Sequence, residues 1–174
     1  MARRVFFSFH FKNDHSRTQL VRNMNSLEGN SPVTPNRWEE IKNTGEAAIK
    51  KWIDDNMAGK SCAVVLIGSE TASRQWVRYE IRKAWEERKG VLGIHIHGLK
   101  DLNGNTSTKG TSPFTDLKVS EGGKIVTLGS APTLKNPTGS TSKDIYADIQ
   151  NNIESWIEES IQNRAKYKLN SRSL

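Results

Sequence analysis

The 174 residues suit one domain, and a 34% hydrophobic content can build a single core, but no stretch approaches the ~20 apolar residues a membrane span needs. Lys and Arg number 26 against 19 Asp and Glu, a net charge of +7 that attracts anions, whether nucleic acid, acidic membranes or phosphorylated small molecules; the basic residues are spread along the chain, and nucleic acid is not expected. The one cysteine, Cys62, excludes an intrachain disulfide and suits a reducing cytoplasm, and the opening MARRVFFSFHF lacks the long apolar core of a signal peptide, so a cytoplasmic location is expected.

Residues 4–9, RVFFSF, form a short aromatic-rich apolar run, the signature of a buried strand. Asp14 is a candidate N-cap for a helix in which Leu20, Val21, Met24 and Leu27 recur at helical spacing. Two prolines in EGNSPVTPNR, residues 28–37, exclude a regular helix there, and a weak second strand is expected around Val33. From Trp38 the helical period returns through Ile41, Ala48, Ile49, Trp52, Ile53 and Met57, with a break expected near Gly45. CAVVLI, residues 62–67, is apolar on both faces, as a parallel strand covered by helices on both sides must be.

Residues 74–88 read as an amphipathic helix with Val77, Ile81, Ala84 and Trp85 on its core face. VLGIHI, residues 91–96, is the next strand. Residues 98–143 are rich in Gly, Ser, Thr, Asn and Pro and too long for an ordinary connection. They read as an irregular insertion, a lid or binding loop, with one strand near KIVTLG at 124–129. A last helix carries Ile145, Ile149, Ile153, Trp156, Ile157 and Ile161, and the basic residues Arg164, Lys166, Lys168 and Arg172 read as a solvated, frayed end. The expected organisation is one domain over residues 1–165 and a basic tail over 166–174.

Strands alternating with helices predict an α/β fold with a mostly parallel sheet covered on both faces. Ligands in such sheets bind outside the carboxyl ends of the strands. That singles out the loops at residues 8–14, 68–76 and 97 onward.

The segment GSETASRQWVRYEI, residues 68–81, leaves the best strand and enters a helix. Trp76 and Glu80 stand four apart, on one helical face. An indole beside a carboxylate partly desolvates it, raising its pKa, and offers a flat surface for a base or pyridine ring. A surface Glu80 paired with Lys83 fits the same spacing, and spacing alone favours it.

Several motifs then occur in one order: FFSFH, RWEEIKNTGEAAIKKWI, AVVLIGSETASRQWVRYEI and GIHI. The strand-end serine followed by Trp76 and Glu80 resembles the Ser…Trp-Cys-x-x-Glu box of TIR domains, with Val77 in place of the cysteine. The start resembles that fold's first-strand box. Together, over residues 3 to about 100, they resemble the TIR-like proteins of Thoeris anti-phage systems. The resemblance implies a flavodoxin-like topology. It implies an enzyme of the NAD glycohydrolase or ADP-ribosyl cyclase type, with NAD as substrate and no cofactor. Such an enzyme makes a cyclic ADP-ribose isomer that diffuses to a partner effector. It places the catalytic glutamate at Glu80, the motif tryptophan at Trp76, and Ser8, Phe9 and His10 at the pocket. Trp38 borders the proline-rich loop and joins them as a candidate. The region of EGNSPVTPNRW carries no TIR-type assembly motif, so a homo-oligomer is possible without being implied. A TIR-like interaction module without turnover, or a nucleotide sensor, are the alternatives.

His95 and His97 are two apart on one strand face, but a metal needs a third and fourth ligand, and no Cys/His cluster supplies them. No metal site is therefore expected. His10 and His15 are within reach of a phosphate or are simply solvated. Trp52 and Trp85 lie on helical stripes and read as core.

Overall fold

The computed structural model of the chain describes residues 3–24 and 45–167. Strand β1 (Val5–Ser8) leads into helix α1 (Phe11–Arg22). Helix α2 (Glu46–Met57) precedes β2 (Cys62–Ile67), a single 3-10 turn (Thr71–Ser73) and α3 (Gln75–Glu86). After β3 (Gly90–His95) come a hairpin of β4 (Lys118–Glu121) and β5 (Lys124–Thr127), then β6 (Thr133–Lys135) and the long helix α4 (Ser142–Lys166). The strands β1-β2-β3-β6 form one parallel sheet in that order.

Alternation along each strand divides the core in two. Phe6, Ala63, Val65, Ile67 and Val91 face α2 and α3, where Ile49, Ile53, Met57, Val77, Ile81, Ala84 and Trp85 meet them. Val5, Phe7, Cys62, Val64, Leu66, Leu92 and Ile94 face α1 and α4, where Val21, Ile145, Ile149, Ile153 and Ile157 meet them. The four α4 isoleucines recur every fourth residue, so one stripe is buried. Each such side chain contributes roughly 1.5–3 kcal/mol. Thr141 caps this helix, its hydroxyl accepting from the Asp144 N–H at 3.1 Å.

The helix after β1 and the helix after β2 lie on opposite faces of the sheet. Open α/β sheets hold ligands outside the carboxyl ends of the strands.

Several expectations need correction. Asp14 is not an N-cap: His10 occupies that position, and Asp14 lies fully buried a turn inside α1 against Arg17. Leu20 is 38% exposed while its neighbour Val21 is buried. The 98–143 segment holds three short strands, and β6 is a member of the main sheet. Arg164 is not a solvated tail residue: it is 2% exposed, pairs with Glu121 at 3.1 Å and lies over the Trp85 ring. Trp85 is buried as expected, whereas Trp52 is half-buried, edge-on to Phe6. Gly45 has a φ of +99°, which suits a residue without a Cβ, and α2 begins directly after it; the residues before it, on which a break depends, lie outside the described ones. The expected strand near Val33, Leu27, Trp38 and the tail beyond Tyr167 lie outside the described residues.

Candidate active site

Ser8 ends β1 on the same face as Phe6 and therefore looks toward α3. On α3, Glu80 is three residues after Val77 and four before Ala84, both core residues, so the helix that buries them carries Glu80 inward. The two side chains meet there: the Ser8 hydroxyl donates to Glu80 Oε1. Glu80 is only 7% exposed and Ser8 is buried as well.

Burial pushes the Glu80 carboxyl up to about 8, and the Ser8 hydrogen bond pulls it partway back. The surface pairing of Glu80 with Lys83 does not form. Lys83 turns instead to Glu87 and Asp54.

A second polar layer joins α1 to the end of β2 and to the loop after β3. Arg17, 3% exposed, holds Asp14 Oδ1 at 2.9 Å and donates to the carbonyls of Leu99 and Asn105 at 2.8 Å each. One buried guanidinium thus ties α1 to the loop that follows β3. Gly68, at the end of β2, packs so tightly on this layer that a Cβ there would lie 2.0 Å from Asp14 Oδ2. Its N–H donates to the Thr71 hydroxyl at 2.8 Å, which fixes the turn that enters α3.

The remaining expected residues are placed as follows. Phe9 is half-buried beyond β1, tilted against Phe11 and packed with the core on the α1 side, the face opposite Glu80. His10 stands half-buried at the mouth of α1. Trp76 opens α3, half-buried, with its indole edge-on to Tyr79 at 5.6 Å between ring centres. The structure therefore brings together Ser8 and Glu80, and leaves Trp76 on the turn before them. Asp14, Arg17, Gly68 and Thr71 form a polar network around the ends of β2 and α1 that the sequence did not reveal. The one available signal was the Asp14–Arg17 spacing of three at the start of a helix that follows a strand.

The model of the TIR-like domain of the Thoeris protein ThsB matches residues 6–101, more than half of the chain. The chain belongs to the Thoeris ThsB TIR-like family. The match contains both Ser8 and Glu80, and the flavodoxin-like arrangement of the described sheet is the fold of this family. A relative from Bacillus cereus (strain MSX-D12), named "Putative cyclic ADP-D-ribose synthase ThsB1", is 41% identical over 122 residues. That alignment covers 67% of this chain and 64% of the relative, so this ThsB-family chain spans somewhat under two thirds of the protein it matches. Among the described residues of this ThsB-family chain, no helix is long and apolar enough to cross a membrane.

Proposed function

We propose that the protein cleaves the nicotinamide–ribose bond of NAD at Glu80 and makes a cyclic ADP-ribose-type product, a diffusible signal for a separate effector protein in anti-phage defence. The observation that carries this reading is the buried carboxyl of Glu80, held by Ser8 near the crevice where this fold binds ligands. The name of the Bacillus cereus relative points to the same chemistry.

Nicotinamide leaves as a neutral base because its ring nitrogen is already cationic in NAD. The C1′–N bond breaks, its electron pair stays with the ring, and positive charge develops on the ribose as an oxocarbenium-like centre. A carboxylate beside that centre stabilises it electrostatically or orients the ribose hydroxyls. With its pKa near 8, Glu80 is mostly protonated in the empty site at neutral pH. A bound cation favours the ionised form, so substrate binding itself charges the group that chemistry requires. Ser8 keeps one carboxylate oxygen fixed and leaves the other to face the ribose.

C1′ is then captured by a nucleophile. A ribose hydroxyl or adenine nitrogen of the same molecule gives a cyclic product, and water gives linear ADP-ribose. Trp76 supplies a flat surface for the nicotinamide ring, with His10 and Trp38 as further pocket residues. The test is mass spectrometry of the products after NAD is incubated with the purified protein, with and without extract from phage-infected cells. Appearance of nicotinamide with a cyclic ADP-ribose isomer supports the reading. Intact NAD under both conditions overturns it.

A further inference from the structure

The carboxyl end of β3 holds polar groups that the chemistry above does not use. His95 is 4% exposed and His97 half-buried, and their rings stand perpendicular with centres 5.9 Å apart. The Ser107 N–H donates to the His97 carbonyl at 2.9 Å, which folds the following loop back over the strand end. Gly110, directly after Lys109, presses on the Gly68 carbonyl, where an added Cβ would lie 2.1 Å from the oxygen. The stretch from Ser107 to Gly110 therefore crosses from the end of β3 to the end of β2, and Lys109 stands on the crossing.

Buried polar atoms in folded proteins are nearly always hydrogen-bonded. Here His95 Nδ1, His97 Nδ1 and the Ser107 hydroxyl are buried, with no partner among the described residues. Lys109 makes no ion pair among the described residues either. Two imidazoles fall short of a metal site, and among the described residues no group of three His, Cys, Asp or Glu side chains forms one. Nearby Arg17 is already committed to Asp14 and to three backbone carbonyls, those of Asn13, Leu99 and Asn105.

We propose that His95, His97, Ser107 and Lys109 form a binding site for a phosphate group at the carboxyl ends of β2 and β3. Imidazole N–H groups and a hydroxyl supply short-range donors, and the ammonium supplies the charge. Both imidazoles stay neutral at pH 7: burial lowers them first, Lys109 next, and His95 falls to about 4. The cluster thus offers neutral donors beside the Lys109 ammonium, with the nearby Arg17 charge already paired to Asp14, which fits one phosphate group better than an extended polyanion. As far as that phosphate belongs to a dinucleotide, the site rests on the function proposed above.

Isothermal titration of the full chain with ADP, adenosine and inorganic phosphate tests it without any turnover. The parent should bind ADP more tightly than adenosine. Lys109→Ala and His97→Gln should each weaken ADP about tenfold, the loss of one charge-assisted or well-placed contact, with adenosine binding unchanged. Competition by inorganic phosphate would mean that the site accepts the free anion. Retained sensitivity to both variants without such competition would mean that it takes phosphate only as part of a nucleotide. Equal ADP affinity in the parent and both variants, or ADP binding no tighter than adenosine, overturns the site. Glu80→Gln should leave ADP affinity intact. Lys109-dependent ADP binding by a parent that never consumes NAD would retire the catalytic reading alone. NAD turnover with Lys109-independent ADP binding would retire the phosphate site alone.

Discussion

The Ser8 hydroxyl donates to the Glu80 carboxyl across 72 residues of chain, joining the end of β1 to the middle of α3. The bond lowers the Glu80 pKa against the larger effect of burial, so its removal should raise that pKa further. NAD cleavage by the parent should therefore show a kcat/KM that climbs with pH through about 8, as Glu80 ionises in the free enzyme, and then levels. Ser8→Ala should shift that rise to higher pH and lower kcat/KM at pH 7 about tenfold, the worth of roughly one hydrogen bond. A pH–rate series on both proteins checks this, and coincident profiles would remove Ser8 from the account.

The same burial sets a sign for stability. The folded protein holds the Glu80 proton more tightly than the unfolded chain, whose carboxyl titrates near the ordinary 4.5. The stability this group contributes is therefore full below pH 4.5 and is lost as pH rises through about 8. Gln at this position never has to ionise and can keep the Ser8 contact. Glu80→Gln should melt close to the parent at pH 5 and several degrees above it at pH 9. Melting curves of the two proteins across that range measure the difference directly, with every other titrating group common to both.

Much of this was legible in the sequence where one physical signal acted alone. CAVVLI is apolar on both faces, so β2 was read residue for residue. The α3 stripe was equally clear, because Val77, Ile81, Ala84 and Trp85 repeat with the helical period. β6 has three residues, too few for any period to show. β4 hides its alternation because one inward residue is Glu121, satisfied by Trp85 Nε1 at 3.0 Å and by Arg164. Asp14 was misread for a similar reason. Its side chain looks like a cap until the buried Arg17 is seen, and Arg17 is held by a carbonyl 82 residues away. The burial of Glu80 was out of reach as well, since it depends on Ser8 meeting it from another strand.

That Asp14–Arg17 pair should be costly to break. Arg17→Met leaves Asp14 as a buried carboxylate without its partner and frees the carbonyls of Leu99 and Asn105. Losing one member of a buried pair destabilises by roughly 3–5 kcal/mol. Lys51→Ala, which removes a fully exposed pair with Asp55, should change stability little. Urea unfolding of the two variants beside the parent gives the comparison.

Trp76 separates stacking from packing. Its half-buried indole leans on Tyr79. If its free side receives the nicotinamide ring, Trp76→Ala should raise KM for NAD strongly, whereas Trp76→Phe, which keeps a flat ring, should retain part of the activity. Steady-state kinetics together with melting temperatures decide it. Normal kinetics in the alanine variant would assign Trp76 to packing.

The central claim is that the Glu80 charge drives bond cleavage. Glu80→Gln preserves volume and hydrogen bonding and removes only that charge. The most direct measurement is product formation from NAD by parent and variant, followed by mass spectrometry under conditions where the parent is active, with NAD binding measured in parallel. Loss of one well-placed electrostatic group typically costs on the order of 100-fold or more in rate, so a folded variant that binds NAD and makes almost no product is the predicted result. Turnover by Glu80→Gln close to that of the parent would contradict the account.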